Sequence, residues 1–218
     1  TSGVLRLIDT RLISNTAGQS AGGARAGGTL ILIGGLFERN VAQHGGGARV
    51  FGSAVMTGTQ FIDNRARIDN FSGGGLKVDG ASTLNGGLFQ GNIGYDGGGL
   101  SGQGTASISG TQFISNMAMR WGGGANVNLL TQITATTFTS NTSGSDCGAL
   151  RTANILRATA SAFYTNTTIF NGGAVCADSG AIAAGGVFQN NTGAKGGAMW
   201  TNGSTTLSNV AFLSNTAT

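Results

Sequence analysis

The sequence predicts an all-β fold: a parallel β-helix, wound as a solenoid of about nine turns of 24–25 residues, with Phe and Asn stacked inside. Three observations carry that expectation. First, Phe-x-x-Asn recurs at Phe37/Asn40, Phe61/Asn64, Phe89/Asn92, Phe113/Asn116, Phe138/Asn141, Phe163/Asn166, Phe188/Asn191 and Phe212/Asn215, with a ninth copy at Leu12/Asn15. Successive asparagines lie 25, 24, 28, 24, 25, 25, 25 and 24 residues apart, and a fixed period of that size marks a repeat architecture. Second, a Gly-rich triplet precedes each Asn from Asn40 onward by 19 to 17 residues, as at Gly45–Gly47, Gly97–Gly99 and Gly122–Gly124. Third, the apolar columns between these marks sit among alternating polar neighbours, which is the period of strands rather than helices.

Taking one turn in order, the residue after the triplet is apolar in every copy: Ala24, Ala48, Leu76, Leu100, Ala125, Leu150, Val175 and Met199. The residue 8 before the Asn forms a second inward column, among them Leu32, Met56, Leu84, Ile108 and Ile133. A single turn cannot bury its apolar side alone, so turns stack like on like. A buried side-chain amide carries two donors and an acceptor, so asparagines repeated at the ~4.8 Å strand spacing are expected to bond one another as a ladder. Asn also tolerates the left-handed conformation that a corner needs, and is expected to supply it here. The whole chain, 1–218, reads as a single domain with one loop insertion at 65–72. The segments following each Asn, such as Val41–His44 and Thr142–Asp146, differ in every turn and are expected to be displayed loops. Neither end shows a polar cap. The segment is therefore expected to belong to a longer rod or to stack end to end, because an uncapped solenoid exposes strand edges.

Composition narrows the class. Gly is 41 of 218 residues and Pro is absent, so collagen is excluded. Charged residues are only 9%, against 39% hydrophobic, which argues against disorder. The net charge of +4 is too sparse for a nucleic-acid surface, and no apolar run is long enough to span a membrane.

The pairing of Gly-Gly-Ala-apolar with Phe-x-x-Asn stands here as Gly172–Gly173–Ala174–Val175 with Phe188–Gln189–Asn190–Asn191, and as Gly196–Gly197–Ala198–Met199 with Phe212–Leu213–Ser214–Asn215. It resembles the polymorphic outer-membrane protein repeat, and the resemblance covers nearly the whole chain. It implies a right-handed parallel β-helix like an autotransporter passenger, exposed at the cell surface or outside the cell, used for adhesion.

No catalytic, cofactor-binding or metal-binding constellation is visible. Polysaccharide-active β-helices need clustered carboxylates, or a carboxylate–Arg–calcium set. The nearest approach is Asp63 and Glu38, about 5–6 Å apart if stacked in register. The adjacent Arg39 and Arg65 make a surface ion-pair cluster the better expectation. His44 sits in a corner segment and reads as a solvated loop residue.

One column deserves weight: 15 before the Asn lie Arg25, Arg49, Lys77, Ser101, Asn126, Arg151, Cys176 and Trp200. Strand alternation points it outward. Arg25, Arg49 and Lys77 would form a stripe suited to an anionic partner such as an acidic glycan. Outward apolar residues such as Ile8 and Val55 would suit lateral packing against another rod. Cys147 and Cys176 are offset by four residues along the turn, ~13 Å if extended and too far for a bond, unless a bend through Gly148–Ala149 shortens it. Asn70 and Asn202 are the sequon asparagines open to glycosylation; Asn141 and Asn166 belong to the ladder.

The expected function is a non-catalytic, extracellular structural or adhesive rod. It displays variable loops and associates with itself, end to end or laterally, or with surface proteins and glycans. The alternatives are a carbohydrate-active β-helix enzyme or a viral fibre segment.

Overall fold

A computed structural model describes residues 3–67 and 73–218; of the insertion expected at 65–72, Arg65–Ala66 form a strand paired with Val41–Ala42, and 68–72 with the Asn70 sequon lie outside the described residues. The chain is a parallel β-solenoid with no helix among the described residues. Three stacks of parallel strands form its sides. One turn shows the plan: Ala125–Val127, a corner, Thr131–Thr134 and Thr137–Thr139, a second corner, then Thr142–Ser143. The middle pair belongs to the first sheet, nine levels deep. Thr142–Ser143 belongs to the second sheet and Ala125–Val127 to the third, each eight strands deep. All strand pairs are parallel and in like-on-like register, as where Phe89 pairs with Phe61 on one side and Phe113 on the other. In two turns the paired strands of the first sheet merge into single nine-residue strands, Leu156–Tyr164 and Ala181–Gln189.

Side chains stack inside as the repeat requires. The seven consecutive Phe pairs from Phe37 to Phe212 have ring centroids 4.5–5.1 Å apart and interplanar angles of 2–14°. The strand spacing imposes that separation, and it falls within the favourable range for aromatic pairs. Asn40, Asn64, Asn92, Asn116, Asn141, Asn166 and Asn191 are buried. Each saturates its amide. The Nδ2 of Asn116 donates to Asn141 Oδ1 at 3.0 Å and to the Phe89 carbonyl at 2.9 Å. Its Oδ1 accepts the backbone N–H and the Nδ2–H of Asn92 at 3.1 and 2.9 Å. Two donors and two lone pairs are thus satisfied away from water, which removes the usual penalty for a buried polar side chain. At the two ends the columns are open: Asn15 is exposed and Phe212 is 42% exposed.

The left-handed corner residue is the one before the Asn, not the Asn itself. Ser14, Arg39, Asp63, Gly91, Ser115, Ser140, Thr165, Asn190 and Ser214 all have φ between 51° and 63°. The physical reason is division of labour. The Asn side chain is committed to the ladder, which fixes its backbone to present N–H to the next turn. The reversal therefore falls on the preceding residue.

The segments after each Asn are not free loops at their start. Their first residues form the second sheet, whose inward column is small: Ala42, Ala66, Gly94, Ala118, Ser143, Thr168 and Gly193. The middle residue of every glycine triplet explains this. At Gly123 a Cβ would lie 2.3 Å from the Gly148 carbonyl oxygen and 2.5–2.6 Å from the Thr142 backbone. The second and third sheets meet there backbone to backbone. The middle triplet position is Gly in all eight copies, while its neighbours vary to Ala or Cys.

Candidate functional site: the outer groove of the third sheet

The column of Arg25, Arg49, Lys77, Ser101, Asn126, Arg151, Cys176 and Trp200 is in register as the repeat predicts. Its exposure is not as predicted. Only Arg25 is exposed; Lys77, Ser101, Asn126 and Cys176 are buried, and Arg49, Arg151 and Trp200 are half-buried. Alternation does point these side chains away from the core. The segments between the second sheet and the glycine triplet then turn back over them, making a lined groove in place of a bare stripe. Those covering residues belong to the same turn and the neighbouring ones: Gln19 and Ser20 lie beside Arg25, Gln43 and His44 beside Arg49, and Asp146 beside Arg151.

The middle of the groove is braced. Asp96, fully buried, accepts Arg120 Nε at 2.9 Å and Nη2 at 2.6 Å. This bidentate pair raises the Arg120 pKa above its ordinary value. The Arg120 guanidinium carbon lies 3.7 Å from the Trp121 ring centroid, and that of Arg151 lies 4.3 Å from it. Arg151 in turn is bonded to Asp178 at 2.5 Å. Beside this chain runs a disulfide, Cys147–Cys176, with Cα atoms 5.4 Å apart. The ~13 Å expected of an extended chain is overturned because Cys147 occupies the first triplet position with φ 65°, so the backbone bends sharply there.

A cavity of about 340 Å³ opens beside the disulfide, lined by Trp121, Asp146, Arg151, Asn171, Asp178 and Trp200 among others. Both tryptophans of the chain line it. Asn202, named from its sequon, is exposed and also at this cavity. Two carboxylates meet in it, but both are engaged. Asp178 holds Arg151, while Asp146 accepts the Asn171 N–H at 3.0 Å on Oδ1 and Ser145 Oγ at 3.3 Å on Oδ2.

The remaining described acids are spread round the rod. Glu38 is paired with Arg39 at 2.9 Å and stands in register with Ile62, not with Asp63, so the stacked carboxylate pair considered from sequence does not form. Asp9 and Asp63 are exposed corner residues. Among the described residues no group of three His, Cys, Asp or Glu gathers to hold a metal.

At the amino end the groove holds Arg25 and Arg49, with guanidinium carbons 4.6 and 4.4 Å from the Phe51 centroid. A cavity of about 330 Å³ lies against them, walled by Gln19, Ser20, Gln43 and His44. His44 is thus half-buried in the groove and not a solvated loop residue. Burial, and then the neighbouring Arg49, lowers the pKa of Lys77. Of the outward apolar residues, Ile8 and Val55 are exposed at 52% and 38%.

Comparison of the chain with protein-family models, with curated proteins and with solved structures finds no match.

Proposed function

We propose that this chain is a non-catalytic structural and adhesive rod of the cell surface or extracellular space, whose outer groove and corner segments meet partners. The supporting observation is the asymmetry between inside and outside. The interior repeats one solution at nearly every level, and the ladder amides satisfy one another, so they have nothing left to offer a ligand. The groove residues differ from turn to turn, and that is where recognition has room to vary. The likeness to polymorphic outer-membrane protein repeats supports the location, and a disulfide is at home in an oxidising compartment. Surface glycans, surface proteins and other copies of the rod are the partners proposed, the last through exposed apolar residues such as Ile8 and Val55.

A carbohydrate-active enzyme is the second reading, favoured by one observation: Asp146 and Asp178 share the cavity beside Arg151. Against it, each carboxylate already serves a structural contact: Asp178 holds Arg151, and Asp146 accepts from the Asn171 N–H and Ser145 Oγ. The test is incubation with a panel of acidic and neutral polysaccharides, read by new reducing ends and by unsaturated uronate absorbance. The rod reading expects neither signal. Cleavage that disappears in Asp178→Asn or Asp146→Asn would replace it with the enzyme.

A further inference from the structure

The amino-terminal cavity differs from the rest of the groove in its charge balance. Arg25 and Arg49 are neighbours across one strand pairing. Among the described residues no carboxylate lies within ion-pair distance of Arg25, and Arg49 reaches only Asp79, at 3.5 Å. Arg49 Nε is buried without an acceptor. The next residue up the column, Lys77, is also cationic and buried. Like charges at strand spacing repel, and Phe51 offsets that only partly through its ring face. The wall of the cavity carries amide and hydroxyl groups from Gln19, Ser20 and Gln43, and no acid.

We propose that this cavity binds the acid group of an anionic sugar, a sulfate ester or a uronate carboxylate, between Arg25 and Arg49. The oxyanion accepts charge-assisted hydrogen bonds from the two guanidiniums. Gln19, Ser20 and Gln43 bond the hydroxyls of the same ring. That amide and hydroxyl lining fits a polyhydroxylated ligand better than a bare anion. The inference deepens the adhesive reading and rests on it for the choice of a glycan as carrier.

The test is calorimetric titration of the folded chain at low ionic strength with three probes: a sulfated disaccharide, trigalacturonate and uncharged maltotriose. At least one anionic probe is expected to bind while maltotriose does not, and which one binds separates sulfate from carboxylate. Arg25 is exposed, so Arg25→Gln is expected to keep the parent melting temperature while weakening binding about tenfold or more. Arg157→Gln removes an exposed arginine from the first sheet and is expected to change affinity less than about twofold. No binding of either anionic probe would overturn the proposal. Equal weakening by both variants would do the same, because it would mean attraction to net charge alone. The polysaccharide-cleavage assay is independent of this titration, so a failed titration leaves the non-catalytic rod standing, and observed cleavage leaves the anion site standing.

Discussion

The inner Asn column and the outer column of the third sheet occupy the same rod at the same spacing, yet they follow opposite rules. Inside, nine asparagines stack because an amide is both donor and acceptor, so a copy of itself is its best neighbour. Outside, a cation cannot be satisfied by its own copy. Arg120 and Arg151 therefore each hold an acid, Asp96 and Asp178, with Trp121 shared between them. Arg25 and Arg49 share Phe51 in a similar way, but with a single acid at 3.5 Å between them. Self-complementary groups build the frame; groups that are not self-complementary must recruit a partner, from the chain or from beyond it.

The sharpest way to break that contrast is inside. Asn116→Leu orphans the Phe89 carbonyl, the Asn92 backbone N–H and one of the two Asn92 Nδ2 protons, in the buried part of the ladder. A loss of about 4 kcal/mol is expected, several buried groups at ~1–3 kcal/mol each, read by chemical denaturation. A loss under about 1 kcal/mol would mean that the ladder relaxes freely. Next comes the covalent brace. Reducing Cys147–Cys176, which closes a separation of 29 residues, is expected to cost about 3 kcal/mol, measured as the denaturation midpoint with and without reductant.

The braced half of the groove follows. Arg120→Ala leaves the buried Asp96 carboxylate without its bidentate partner, and about 2 kcal/mol is expected to go, less than for a wholly buried pair because Arg120 is part-exposed. The open half gives the smallest change, and of opposite sign. Lys77 has a folded-state pKa below its ordinary value, so at neutral pH its charge opposes folding. Between the lowered pKa and 10.5 the unfolded chain binds more protons, so stability contributed by this group rises with pH across that window. Lys77→Met is expected to be neutral or to stabilise by up to about 1 kcal/mol at pH 7, with the gain shrinking as pH approaches 10.5, followed by thermal melting across pH. A clear destabilisation at pH 7 would show that the lysine is held by its surroundings rather than tolerated.

Much of the frame was legible because it is local and repeated. Phe-x-x-Asn announces its own stack, and a middle glycine unchanged in eight copies reports a place where backbone meets backbone. Most of the rest carries no apolar or single-residue signal. The second sheet has strands of as few as two residues and an inward column of small, chemically mixed side chains, so no apolar signal marks it. Ser, Arg, Asp, Gly, Thr and Asn all serve as the left-handed residue before the ladder Asn, because geometry and not side-chain chemistry selects that site. Alternation predicts an exposed stripe where the groove lies, because it says which face a residue points to, not what folds over that face. The disulfide needed φ 65° at Cys147; a signal was present, since that Cys stands where other turns place Gly.

The account rests on amides that bond one another from turn to turn, and side-chain amide hydrogen exchange measured by NMR tests this directly. Asn40, Asn64, Asn92, Asn116, Asn141, Asn166 and Asn191 each use both Nδ2 protons, whereas Asn15 and Asn215 use one. Seven protected amide pairs, exchanging orders of magnitude more slowly than those of Asn15, Asn202 and Asn215, are the expected result. Rapid exchange of all asparagine side chains alike would contradict it.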